Sequence, residues 1–286
     1  MAREFVQAAI PAYLCPPGTK MSLLNLGTMN VDEGWLIVGQ NGGSASNPNP
    51  VNKRRDLMVI AGLVEHPEIG LVLFETGCTE NVESWGSEAT DLFPRTVYDK
   101  THKLPEAIER AGYDIKDVSA IVMGHLHLDH AGGLEHFRGT NVPIYVHEEE
   151  FKHACWATAT KQDDGLYLSD YLLLDGSLNW QIFSDSQYEL ATGITLYHCP
   201  GHTPGLCIMQ VNLKHDGVFI WTTDQYHIRE NYHDKLHHGW LVRNYLDWVK
   251  SDQFIRRLQM VYSARLIFGH DYETADGLIR EKRFFE

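Results

Sequence analysis

The sequence predicts a mixed α and β fold in which layered sheets are covered by helices on their outer faces. Three observations carry that expectation. Strand-like runs recur along the chain, helical stretches fall between them, and the composition is that of a globular protein. Hydrophobic residues make up 43% and charged residues 22% of the 286 positions, enough apolar surface for a sizeable core. The length allows one or two domains, and no internal repeat or low-complexity tract divides it.

The elements follow in order. Residues 39–55 are rich in Gly, Asn and Pro and read as a loop insertion between strands. Asp56–Glu65 and Leu71–Thr76 read as a hairpin turning through Pro67–Gly70. A helix over Pro105–Gly112 has Pro in its first turn and Gly at its end. Strands are expected at Ala120–Met123 and Val142–Val146, then a short helix over Glu148–Trp156. Residues 157–180 are aromatic and Leu-rich without clean periodicity. They read as a crossover walling a pocket, with Trp156, Tyr167, Tyr171 and Trp180 as candidates for an apolar wall. Further strands are expected at Ile194–His198, Leu206–Asn212, Gly217–Thr222 and Arg265–Phe268. Before the last of these, Ser251 is expected to cap a helix whose Phe254, Ile255, Leu258, Val261 and Tyr262 share a face. The strands are expected to be mostly antiparallel.

Charge and cysteine usage narrow the function classes. Lys plus Arg total 24 against 38 Asp plus Glu, a net charge of −14 with no basic stripe, which argues against a reader of the phosphate backbone. No run reaches the ~18 apolar residues of a membrane span. The N-terminus shows no signal-like apolar stretch, and the five scattered cysteines form no C-x-x-C pair. A cytoplasmic chain with reduced thiols is therefore expected. No nucleotide-binding glycine motif is present.

Histidine carries the functional signal. There are 16, and Gly124-His125-Leu126-His127-Leu128-Asp129-His130-Ala131-Gly132-Gly133 sets four potential metal ligands within six residues, straight after an apolar strand. Imidazole and carboxylate suit Zn²⁺ and related first-row ions. Further candidates stand at predicted strand ends: His202 in Cys199–Gly205, Asp224 in Thr222–Gln225, and His270 in Phe268–Asp271. Loops at one edge of a sheet sandwich can bring such residues to one point. Glycines before His202 and His270 allow the backbone to turn and approach closely.

His-x-His-x-Asp-His at 125–130, Pro-Gly-His-Thr at 200–203, Asp224 and Gly-His at 269–270 together resemble the metallo-β-lactamase superfamily, from Leu71 to Asp271. Within it the chain is most similar to the N-acyl-homoserine lactonase group and its lactone- and lactam-opening relatives. The resemblance implies an αββα sandwich, two mixed β-sheets packed face to face with helices outside, formed by residues 1–286 as a single hydrolase domain. By matching position, it implies that His125, His127 and His202 hold one metal and that Asp129, His130 and His270 hold the second. Asp224 would bridge them. Two Zn²⁺ per chain are expected, or other divalent first-row metals. Two cations about 3.5–4 Å apart repel, and an anionic bridge with a shared hydroxide offsets that repulsion.

The implied activity is opening of a small cyclic ester, such as an acyl-homoserine lactone, by attack of that hydroxide on the carbonyl, with quorum quenching as the role. Asp129 is placed to take the water's proton and pass it to the leaving group. The alternative is a γ-lactam or cyclic-carbamate hydrolase of the benzoxazolinone-detoxifying type, followed by a glyoxalase-II-like thioesterase. The expected partner is a small cyclic ester or lactam, with no nucleic acid and no membrane; a homodimer stays open.

The chain departs from the lactonase pattern twice. Glu75 stands where Asp is usual in Asp-Thr-Gly; either it accepts from a ligand imidazole or it is a plain strand-end carboxylate. Three residues after the bridging Asp, where the lactonases carry tyrosine, stands His227, with Tyr226 one position earlier. Either could donate to a developing oxyanion, a contact worth roughly 3 kcal/mol. The catalytic candidates are thus Asp129, Asp224, Tyr226 and His227. His237 and His238 either line the pocket mouth or belong to an exposed loop.

Overall fold

A computed structural model describes residues 15–172 and 175–286; residues 1–14 and 173–174 of the expected domain lie outside the described residues. The first sheet has the order β4-β1-β2-β3-β5-β6-β7. Its strands are β1 (Lys20–Asp32), β2 (Arg54–His66), β3 (Gly70–Phe74), β4 (Arg95–Val97), β5 (Val118–Val122), β6 (Pro143–His147) and β7 (Asn179–Phe183). The second has the order β12-β11-β10-β9-β8. It comprises β8 (Gln187–Ala191), β9 (Ile194–His198), β10 (Cys207–Leu213), β11 (Gly217–Thr223) and β12 (Arg265–Phe268). The longer helices used below are α1 (Leu104–Ala111), α2 (Glu148–Thr160), α3 (Tyr245–Tyr262) and α4 (Tyr272–Glu281). Among the described residues, no helix is long and apolar enough to cross a membrane.

Period-two burial explains the layers. Along β2, Leu57, Val59, Ala61 and Leu63 face one core while Met58, Ile60 and Val64 face another. A strand covered on both faces reads as a continuous apolar run, which is why β2 was conspicuous in the sequence. Met58, Val72, Phe74 and Val122 of the first sheet meet Leu196, Met209, Phe219 and Trp221 of the second in a shared inner core. Outside the first sheet, Leu73 and Ile121 are covered by Ala107 and Ile108 of α1 and by Ala154 and Ala157 of α2. Outside the second, Ile208, Ile220 and Phe268 lie under Trp248 and Ile255 of α3. Helices thus cover two face-to-face sheets, the αββα arrangement expected.

Both sheets are mixed, as expected: among the described residues β3/β5, β5/β6, β6/β7 and β11/β12 pair in parallel, while the other six pairings are antiparallel, the expected majority. Two local details differ from the sequence reading. The 13-residue β1 escaped notice because its register shifts between Asn25 and Thr28, so the apolar alternation breaks midway. The helix assigned to a Ser251 cap begins earlier, at Tyr245, where the Asn244 side chain accepts from the Asp247 N–H at 3.2 Å. Ser251 lies inside α3, and its hydroxyl donates to the Pro200 carbonyl at 2.8 Å. The helix is thereby tied to the loop that carries His202.

What this topology does for the site is simple. β10 runs antiparallel to both β9 and β11, and β12 is parallel to β11. Strands β9, β11 and β12 therefore leave their sheet at the same end, where the loops after them carry His202, Asp224 and His270.

Candidate metal centre

His125 and His127 lie on the loop that follows β5, and Asp129 and His130 on the single helical turn Leu128–Ala131. The loops after β9, β11 and β12 bring His202, Asp224 and His270 to the same place. Both glycines singled out in the sequence sit where no side chain fits. Gly201 has φ +147°, and a Cβ there would lie 2.4 Å from Cα of Trp248. At Gly269 a Cβ would lie 2.3 Å from Asp224 Oδ1.

Four groups of ligand-type atoms result among the described residues, each with its atoms within 4.8 Å of one another; His202, His227 and His238 form one, Glu75, His125 and His130 another, and the remaining two take in all seven residues expected as ligands. Of these two, one is His125, His127, His202 and Asp224; the other is Asp129, His130 and His270. Asp224 faces both. Its Oδ2 is 3.7 Å from His125 Nε2, 3.5 Å from His202 Nε2 and 3.4 Å from His130 Nε2, and its Oδ1 is 3.1 Å from His270 Nε2. Asp129 Oδ2 is 3.6 Å from His130 Nε2 and 3.4 Å from His270 Nε2.

The rings are oriented from behind. His270 Nδ1 lies 3.0 Å from the Met58 carbonyl oxygen, a contact that needs an N–H there and leaves Nε2 free to coordinate. His130 Nδ1 lies 3.3 Å from Glu75 Oε2. Glu75 thus faces the imidazole of a candidate ligand. The Glu75 backbone lies in the left-handed region at φ +61°. Its Oε1 accepts from the Gly124 N–H at 3.0 Å and the Thr223 hydroxyl at 3.2 Å, tying three ligand-bearing segments together.

Electrostatics fits a cation. Burial drives His125 and His202 well below the ordinary imidazole value and His127 down to about 3, so all three present neutral rings. At His130 burial pulls the same way, but the carboxylates of Asp224, Asp129 and Glu75 outweigh it and hold the ring well above its ordinary value. Asp224 is pushed up by burial yet held well below the ordinary carboxylate range by His270, His130 and His227. His125 Nε2, His127 Nε2 and His202 Nδ1 are buried without a hydrogen-bond partner. Five imidazoles, two carboxylates and partnerless buried nitrogens are a donor set that divalent cations complete.

The two tyrosine-position candidates separate. Residues 226–227 run beside 269–270, with Gly269 N–H donating to the Tyr226 carbonyl and His270 N–H to the His227 carbonyl. The two side chains diverge from this turn. Tyr226 points under α3, fully buried, its hydroxyl donating to Asp252 Oδ1 at 2.6 Å. His227 points to the cleft, its Nε2 3.1 Å from Asp224 Oδ2. Its ring stacks on His238 with centroids 4.0 Å apart, and His238 is buried rather than exposed.

The cleft has Met29, Val31, Leu57, Phe93, Leu166 and Leu241 as walls and His127, Asp129, Asp224, His227 and His270 at its polar end. From the aromatic-rich segment, Leu166 lines it. Tyr167 and Tyr171 instead brace the ligand loop, donating to Glu150 Oε1 at 3.2 Å and to the Leu126 carbonyl at 2.6 Å. Trp156 is half exposed.

Glu150, in the first turn of α2, is the functional residue that sequence reading missed. Its fully buried carboxylate accepts from the Leu126 N–H (2.9 Å), the Tyr167 hydroxyl (3.2 Å), the Thr203 hydroxyl (2.5 Å) and the Gly205 N–H (3.2 Å). It joins the loop of His125 and His127 to that of His202. Nothing local distinguishes it from Glu148 and Glu149 beside it.

Comparison with known proteins agrees with this geometry. The metallo-beta-lactamase superfamily model matches residues 54–250. N-acyl homoserine lactonase AiiB of Agrobacterium fabrum is 27% identical over 277 residues, covering 92% of this chain and 97% of its own. An N-acyl homoserine lactonase from a Bacillus species is 29% identical over 226 residues, covering 78% and 84%. Among solved structures, an N-acyl homoserine lactone hydrolase with N-hexanoyl-L-homoserine at its catalytic metal center aligns with TM-score 0.74 at 25% identity, covering 90% and 95%. AidC, a dizinc quorum-quenching lactonase, aligns with TM-score 0.66 at 16% identity, covering 89% and 88%, a likeness of fold alone.

Proposed function

The chain belongs to the metallo-β-lactamase superfamily and is a metal-dependent hydrolase, and from that premise we propose that it opens a small cyclic ester of the acyl-homoserine-lactone kind. One observation carries the reading: seven ligand-type residues converge at the polar end of an otherwise apolar cleft. On this proposal residues 1–286 act as one hydrolase domain. His125, His127 and His202 would hold one Zn²⁺, Asp129, His130 and His270 would hold a second, and the Asp224 carboxylate would offset their charge. Such ions supply Lewis acidity toward the substrate carbonyl and acidify water toward neutral pH.

The chain's own groups do the rest. Asp129 is the ligand carboxylate with most access to the cleft, its side chain 14% exposed against 4% for Asp224. It holds the proton released by the attacking water and returns it to the ring oxygen as the C–O bond breaks. The balance is one water added and one hydroxy acid formed. His227 presents ring nitrogens without a hydrogen-bond partner and donates to the carbonyl oxygen as charge develops there. The apolar walls seat the acyl group and exclude water.

A second reading, γ-lactam or cyclic-carbamate opening, is favoured by imidazole rather than phenol at the donor position. An amide nitrogen leaves less readily than an alkoxide and needs a proton, which His227 can carry. The deciding experiment is a ring-opening panel with zinc-loaded protein, scored by mass spectrometry for gain of one water. It comprises acyl-homoserine lactones, simple γ-lactones, benzoxazolinone-type lactams and a glutathione thioester. Faster opening of the acyl lactones sustains the lactonase reading; preferred lactam opening replaces it with detoxification.

Two further outcomes are expected. Substituting Phe for His227 should reduce lactam opening by about 10–100-fold and lactone opening by less, as kcat/KM on both substrates will tell. Equal losses would remove the proton-donor role. Chelation should lower the thermal midpoint by about 5–10 °C, since a ligand that binds only the folded chain stabilises it by mass action. Scanning calorimetry before and after adding Zn²⁺ back checks this, and an unmoved midpoint would argue against a resident metal.

A further inference from the structure

We propose that His238 is a positioning residue: its ring, stacked face to face on His227, fixes the plane in which the His227 N–H meets the substrate carbonyl. This rests on the donor role given to His227 above. His227 lines the cleft, whereas His238 stands behind it and is not part of the lining.

The need for such a residue lies in the donor side chain itself. The His227 backbone is held, since its carbonyl accepts from His270 N–H at 2.8 Å. The torsion that turns a histidine ring is broad and roughly two-fold, so the chain alone does not choose a plane. Both ring nitrogens lie off the axis of that torsion, and turning the plane swings each N–H away from its target. Neighbours must therefore choose the plane.

The neighbours differ in what they can hold. Asp224 Oδ2 meets one edge of the ring, 3.1 Å from Nε2, and His202 stands edge-on with centroids 5.2 Å apart at 86°. Contacts at an edge leave the ring able to pivot. His270 is nearly parallel, at 25°, but its centroid is 5.9 Å away, beyond the separation at which two flat rings cover one another. His238, at 4.0 Å and 22°, covers the face. Tilting the His227 plane would drive its edge into that ring, so His238 resists a motion that the other contacts permit.

His238 can act in this way because it is itself held. Both rings belong to residues only 1% exposed. The His237 carbonyl accepts from Val38 N–H at 2.9 Å, and Trp240 N–H donates to the Gly34 carbonyl at 3.3 Å. Between them Gly239 packs so closely that a Cβ would lie 2.1 Å from the Gly34 oxygen. Trp248 of α3 stands against the His238 ring at 6.0 Å and 42°, and its indole is tied to the Gln225 carbonyl.

The test uses zinc-loaded His238→Ala, His238→Asn and His238→Phe beside His227→Phe and the His227→Phe/His238→Ala double variant. The substrate is the ring that the wild-type chain opens fastest. A donor contact that strengthens as charge develops acts on kcat, so His238→Ala should lower kcat about fivefold with KM within about twofold of wild type. Asn keeps polarity without a ring face and should lose as much. Phe keeps a flat face without nitrogens and should recover at least about half of the wild-type kcat. The double variant should be no slower than His227→Phe alone, because no donor is left to position. An unchanged kcat in His238→Ala, a His238→Phe as slow as His238→Ala, or losses that multiply in the double variant would overturn the role. So would a loss of bound zinc that parallels the loss of kcat. A second readout needs no substrate. Limited ethoxyformylation with diethyl pyrocarbonate, mapped by mass spectrometry, should modify His227 about fivefold faster in His238→Ala and at the wild-type rate in His238→Phe, because reaction follows the freed population. If the wild-type chain opens no ring in the panel, the reading of its substrate fails; equal modification in wild type and His238→Ala would separately sink the positioning role.

Discussion

Asp224→Ala should lower the metal bound per chain and reduce kcat/KM by about 10³-fold or more, equivalent to roughly 4 kcal/mol of lost transition-state stabilisation. Asp224 is the carboxylate that faces both ligand groups, within 3.1–3.7 Å of ring nitrogens from His125, His130, His202, His227 and His270. Without it, two neighbouring cations would lose the negative charge between them, and their repulsion would empty at least one position. The fold should survive. The Asp224 loop is held independently by Gln225, whose side chain donates to the Trp248 carbonyl at 2.9 Å while the Trp248 indole donates to the Gln225 carbonyl at 2.8 Å. Elemental analysis beside steady-state kinetics checks this, with Asp224→Asn as an isosteric control. Unchanged metal content and rate would refute the bridging role.

Glu150→Ala should cost about 3–5 kcal/mol of stability, because a buried carboxylate is removed from beneath two backbone N–H groups and two hydroxyls that then lack an acceptor. Burial pushes this carboxyl above its ordinary value, and the bonds from Thr203, Leu126 and Tyr167 work against that push. Glu150→Gln keeps the volume and one acceptor oxygen and should lose about half as much. The distinguishing feature is a second readout. Leu126 lies between His125 and His127, and Thr203 follows His202, so both variants should also bind Zn²⁺ more weakly than wild type. Urea unfolding of metal-free protein separates the two effects. Loss of stability with unaltered zinc affinity would make Glu150 a core residue only; no change in either would remove it from the brace.

Much of the site was legible because its signals are short. A strand, a turn and the ligand after it are encoded within about ten residues, and His125, His127, Asp129 and His130 share one such stretch. The glycines before His202 and His270 announced close backbone approach, and Trp248 and Asp224 are what approaches. The hairpin β2–β3 was legible for the same reason, since its turn and both strands are contiguous. The start of α3 was misread although its own signal, Asn244 three residues before Asp247, was local; the Ser251 hydroxyl that resembled a cap is committed to Pro200.

What the sequence by itself determined is the inventory of ligand-type residues, the strand ends that present them, and the two-faced apolar strands that require layered sheets. What only the tertiary structure decided is which neighbour each polar side chain meets. The turn held against Gly269–His270 sends His227 into the cleft and Tyr226 under α3. Contacts across long stretches of chain selected Glu150 from three consecutive glutamates and set Glu75 against His130. The physical reason is that alternation and turn chemistry are properties of neighbouring residues, whereas burial and hydrogen-bond partners belong to segments that meet only after the sheets have packed.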